Sequence, residues 1–115
     1  MNDEHRVGRL ECTDVDLDLL FAQINQLHRL ASDADAAQDG DKRYDFSIRW
    51  GVLLSGRLQR LLHYESRGEL SAGERERFQE LRNQLEDAAP VARKLGMADP
   101  VSAIDTYGGK KHAKR

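Results

Sequence analysis

The sequence predicts an all-α fold, an antiparallel three-helix bundle with a short C-terminal fourth helix and flexible termini. Three observations carry that expectation. Large apolar residues recur at i, i+3, i+4 and i+7 in three long segments, a period that lines one face of a helix. The segments are punctuated by capping residues and glycines. The chain of 115 residues is also long enough for one domain to bury a core without a metal or a disulfide.

The first helix is expected over about 14–31, where Leu17, Leu20, Phe21, Ile24, Leu27 and Ala31 share a face. Thr13 reads as its N-cap, and Asp16 three residues later gives a capping-box-like pattern. Asp14, Asp16 and Asp18 would then sit by the unpaired N–H groups of the first turn, which favour negative charge. Residues 1–12, with charges of both signs and no apolar core, are expected to be a flexible segment rather than a signal peptide. The stretch 32–42 has no large apolar group and is expected to be a mobile linker.

The central helix is expected over about 45–67, with Asp45 as N-cap and Gly68 as the left-handed closing residue. Trp50, Leu54, Leu58, Leu61 and Leu62 form its apolar arc. Ser47, Gly51 and Ser55 lie beside that arc. Because a mid-helix glycine costs about 1 kcal/mol relative to alanine, Gly51 is expected to mark a close crossing by a neighbouring backbone. The third helix, about 72–95, opens with the S-x-x-E capping box Ser71 to Glu74 and continues through Phe78, Leu81, Leu85, Ala88, Ala92 and Leu95. Pro90 should kink or restart it, and Gly96 should end it. Asp99 followed by Pro100 announces a short turn over 100–104. Together these place a bundle domain at 13–106 and a basic tail at 107–115.

Charge and composition narrow the function classes. The net charge is −2, with a pI of about 6.1. Acidic residues crowd the first third, whereas Lys110, Lys111, Lys114 and Arg115 make the end basic. The single cysteine, Cys12, cannot form an internal bridge, which fits a reducing cytoplasm. The longest run of large apolar residues, Val52-Leu53-Leu54, predicts no membrane span. No H-E-x-x-H, C-x-x-C, glycine-rich phosphate loop or G-x-S-x-G occurs. His5, His28, His63 and His112 are too dispersed to suggest a metal site. No enzyme activity, metal or cofactor is therefore expected.

One arc of the central helix instead suggests a binding surface. Arg49, Arg57, Arg60 and Arg67 alternate with Phe46, Leu53 and Tyr64, and arginine with aromatic groups is the composition of protein-interface hot spots. The leading expectation is a non-enzymatic interaction or regulatory module that grips a protein partner, a second copy of the chain included, through this arc. The bland alternative buries the apolar members and pairs the arginines with Glu65, Glu74 or Glu76. A different functional class, a nucleic-acid-associated protein, would use Arg49, Arg57, Arg60, Lys110, Lys111, Lys114 and Arg115 on phosphates. The acidic first helix and the pI weigh against it.

Overall fold

The structure is a computed structural model that describes the backbone of residues 2–109 and the side chains of residues 13–107. The chain is all-helical over the described residues, in the order α1 (Asn2–Ser32), α2 (Ala34–Gln38), α3 (Gly40–Ser55), α4 (Arg57–Ser66), α5 (Ala72–Lys94) and α6 (Pro100–Gly109). No helix among them is long and apolar enough to cross a membrane.

The core is where the apolar periodicity puts it. Leu17, Leu20, Ile24 and Leu27 of α1 meet Phe46, Trp50 and Leu54 of α3, Leu58, Leu61 and Leu62 of α4, and Phe78, Leu81, Leu85, Ala88 and Ala92 of α5. Leu70 and Met97, from the connections on either side of α5, close its ends. Phe21 and Leu95 lie at the edge of this core, half-buried, and Ala31 is exposed. The α6 helix packs on α3, α4 and α5. Four hydrogen bonds tie it and the segment before it to the other helices: Trp50 Nε1 donates to the Ala98 carbonyl at 2.8 Å, Gln59 Nε2 donates to the Ala103 carbonyl at 3.0 Å, Arg93 Nη1 donates to Asp99 Oδ2 at 2.7 Å, and the Ser66 and Tyr107 hydroxyls share one at 3.0 Å.

The local punctuation agrees with the sequence at four places. Ser71 and Glu74 form a reciprocal capping box: Glu74 N–H donates to Ser71 Oγ at 3.1 Å and Ser71 N–H donates to Glu74 Oε1 at 2.8 Å. Gly68 and Gly96 adopt φ of 70° and 75°, the left-handed region that a side chain disfavours. Behind them the N–H groups of Glu69 and Met97 donate back to the carbonyls of Tyr64 and Ala92, each five residues earlier, which closes both helices. Asp99 accepts from the N–H groups of Val101 and Ser102 at the start of α6.

Four expectations are corrected. The first helix does not start at residue 14: it runs from Asn2, and Thr13 is an interior residue that is buried rather than a cap. The stretch 32–42 is not an unstructured linker. Asp33 and Asp39 cap α2 and α3 by accepting backbone N–H groups at 3.0–3.2 Å, so the central helix begins at Gly40 rather than at Asp45. Alanine-rich α2 needs only that local help, because alanine is the best helix former. Third, the central helix bends at Gly56 into α3 and α4. Gly56 N–H still donates to the Val52 carbonyl at 2.9 Å and Arg60 N–H to the Gly56 carbonyl at 3.0 Å, so the ladder continues through the bend. A Cβ at Gly56 would lie 3.1 Å from that same Val52 oxygen, which is why a glycine stands there. Finally, α5 does not restart at Pro90 but passes through it as one helix; Pro90 is on the exposed side, where water can replace the missing donor.

Candidate partner-binding surface

The arginine and aromatic arc is only partly open. Phe46 is buried and stacks on Trp50, with ring centroids 6.0 Å apart at 22°. Leu53 and Tyr64 are half-buried and pack against the core. Asp16, fully buried on α1, collects the two central arginines: its Oδ1 accepts from Arg57 Nη1 at 2.6 Å and Arg60 Nη2 at 2.8 Å, and its Oδ2 accepts from Arg60 Nε at 2.8 Å. Arg67 donates to Glu69 at 3.0 Å. The expectation of an open arc is therefore corrected at Phe46, Arg57 and Arg60. The carboxylate responsible is one assigned from sequence to a helix N-terminus, not Glu65, Glu74 or Glu76.

Asp14 and Asp18 are likewise not a first-turn cluster. Both pair with Arg77 of α5, which also lies over the Phe21 ring at 5.7 Å from its centroid. Glu65 pairs with Arg82 at 2.6 Å. Of the expected site residues, Arg49 alone is exposed with no ion pair among the described residues. Lys110, Lys111, Lys114 and Arg115 lie outside the described residues.

The surface left open is a different face of α3. Tyr44, Ile48 and Val52 are exposed at 65%, 50% and 63%. Their i, i+4, i+8 spacing sets them in one row about 12 Å long, opposite Phe46, Trp50 and Leu54. Along one side of this ridge runs a groove of about 430 Å³ between α3–α4 and α6. Small residues shape it: Gly51 and Ser55 on one wall, Ala98, Ser102 and Ala103 on the other. Gly51 was expected to admit a neighbouring backbone. A Cβ built there meets nothing within 4 Å, so the missing side chain widens the groove instead.

Asp99 stands at the groove's edge. Its hydrogen bond from the Arg93 guanidinium at 2.7 Å holds its carboxyl below the usual carboxylate range, helped by the Val101 and Ser102 N–H groups and opposed by partial burial. The groove therefore has a carboxylate ion-paired with Arg93 at the edge of its apolar walls. Val15 and Leu19 form a smaller exposed apolar pair on α1.

The ridge was within reach of the sequence. Residues 44, 48 and 52 repeat at helical spacing on the far side from Trp50, and that second apolar row marks a helix with more greasy circumference than its neighbours cover. Among the described residues no cluster of histidine, cysteine and carboxylate groups could hold a metal ion.

Compared with known protein families, with curated proteins and with solved structures, the chain matches none.

Proposed function

We propose that the chain is a non-enzymatic protein–protein interaction module: an antiparallel three-helix bundle, closed by α6, that holds an apolar helix of a partner protein on the outer face of α3. The observation that carries this reading is the exposed row Tyr44, Ile48 and Val52 beside a groove that Gly51 leaves open. A ridge of large residues next to a channel of small ones is what ridges-into-grooves packing requires of one member of a helix pair. The partner would present residues at i, i+3, i+4 and i+7. Fully burying each of three such side chains is worth about 1.5–3 kcal/mol relative to leaving it exposed. Since between a third and a half of each is already covered, the gross gain is about 3–5 kcal/mol before the cost of association, the range of a reversible contact.

The nucleic-acid reading is weaker by comparison, since Asp16 already occupies Arg57 and Arg60. A reducing compartment such as the cytoplasm suits the single cysteine.

The test places a photo-crosslinking amino acid at Val52, with the same group at exposed Glu76 on α5 as control, in cells that make the protein. Position 52 is expected to give one adduct of defined mass, and Gly51→Leu, which fills the groove, is expected to abolish it while the helical circular dichroism is retained. Adducts of equal yield and pattern at both positions, or an adduct at 52 that survives Gly51→Leu, would overturn the assignment.

A further inference from the structure

A cavity of about 330 Å³ opens on another flank of α3, where the last turn of α1, the short α2 and the first half of α3 meet. Its walls carry three cations, Arg29, Lys42 and Arg49, and two carboxylates, Asp33 and Asp45, beside the edge of Phe46. Elsewhere six arginines, at positions 57, 60, 67, 77, 82 and 93, each find a carboxylate within 3.3 Å. The charged side-chain groups of these three residues form no ion pair or hydrogen bond among the described residues, although Asp33 and Asp45 line the same space. Asp33 spends one oxygen on the Ala36 N–H.

Opposite charges at this density ordinarily close on one another, as the six arginines above do. Here they line one space without pairing, so donors and acceptors both keep open valences there. Three cations against two carboxylates leave the walls at +1. The complementary guest has a compact anionic group for the guanidinium forks and hydroxyl donors for the carboxylates. We propose that this cavity binds a small phosphate monoester that carries hydroxyl groups, of the sugar-phosphate class. Arg29, Lys42 and Arg49 take the phosphate oxygens, and Asp45 accepts from the hydroxyls. The size agrees: the cavity is at the small end of ligand sites, which run from about 300 to 1,000 Å³. A sugar phosphate fits within it, whereas a nucleic-acid strand would engage it only by an end. The site is separate from the α3 ridge and stands or falls independently of the partner reading.

Calorimetric titration of the full chain at low salt tests this, with ribose 5-phosphate as the probe and ribose, inorganic phosphate and a short DNA duplex as the other arms. Saturable binding of ribose 5-phosphate is expected, weakened about ten-fold by Arg29→Ala and by Arg49→Ala through loss of one charge-assisted contact each. Both positions are exposed, so the melting temperature should hold; where Ala shifts it, Gln at the same position serves. Asp45→Asn is expected to weaken ribose 5-phosphate and leave inorganic phosphate unchanged. Failure of ribose 5-phosphate to saturate by about 10 mM, unchanged affinity in both arginine variants, or binding of inorganic phosphate or duplex as tight as that of the sugar phosphate would each overturn the proposal.

Discussion

Asp16→Asn is the substitution on which the architecture can be judged most sharply. The native carboxylate is fully buried and accepts three charge-assisted hydrogen bonds from Arg57 and Arg60, whose side chains are 37% and 41% exposed. An asparagine of the same shape keeps one acceptor oxygen but turns an amide N–H₂ toward a guanidinium. Breaking a buried pair from one side costs about 3–5 kcal/mol when the stranded partner stays buried. Here both arginine heads reach water and can rehydrate, so the cost falls to about 2–4 kcal/mol. That is a large share of the roughly 5–15 kcal/mol that keeps a domain folded. Asp14→Asn, at an exposed carboxylate, is the control and should change stability by less than about 0.5 kcal/mol. Guanidinium denaturation followed by circular dichroism and by emission from the buried Trp50 measures both. Agreement of the two variants to within about 0.5 kcal/mol would show that the ion triad does not hold α1 against α4, and the account of why the arginine arc is closed would fail with it.

The two mid-helix glycines should respond in opposite ways: Gly51→Ala, with open space at its Cβ, is expected to stabilise by about 0.5–1 kcal/mol in thermal denaturation, whereas Gly56→Ala should give no gain because its Cβ meets the Val52 carbonyl at 3.1 Å. Asp99 has a folded pKa below its ordinary 3.8, so its ion pair contributes stability that is present above about pH 4 and is lost as pH falls through the lowered value. Asp99→Asn should therefore be less stable than the native chain at neutral pH, with the gap narrowing as the pH falls below about 4, and a gap that does not narrow in acid would contradict the assignment. Ser71→Ala should cost about 1 kcal/mol through loss of the capping box, read as a shift in denaturation midpoint at constant slope.

The parts of this structure that were legible in the sequence are those decided within one or two turns. Leu17, Leu20, Ile24 and Leu27 share a face whatever they pack against, and Ser71 with Glu74 satisfies two N–H groups using nothing outside its own helix. The start of α1 was illegible for the complementary reason. Thr13 and Asp16 have the spacing of a cap worth about 1 kcal/mol, but Asp16 is claimed by Arg57 and Arg60 more than forty residues away, and three charge-assisted bonds outweigh a cap. The stretch 32–42 misled in another way: composition measured what it could not bury, while Asp33 and Asp39 gave its backbone N–H groups partners that cost no burial. Helix rotation was legible in part: the row bearing Trp50 and Leu54 was expected inside and is buried, where Trp50 also reaches the Ala98 carbonyl, but the second apolar row at Tyr44, Ile48 and Val52 was not singled out.

That rotation bears on function, because it splits one helix among three demands. The row Phe46, Trp50, Leu54 supplies the core, and the flank bearing Arg49 turns toward the cavity beside α1 and α2. The third row, Tyr44, Ile48 and Val52, satisfies nothing inside the molecule. Exposed singly, such residues need no explanation; in a continuous row they promote unwanted association, which a polar residue at any of the three positions would reduce. Gly51 beside them adds a second local departure, a loss of helix propensity with no intrachain contact to offset it. Two departures from local consistency that adjoin one another, in a helix whose other faces are well satisfied, are where a binding demand is expected to override the demands of folding. A partner helix seated on the ridge would cover the apolar row and use the space at Gly51 at once, so a single contact accounts for both.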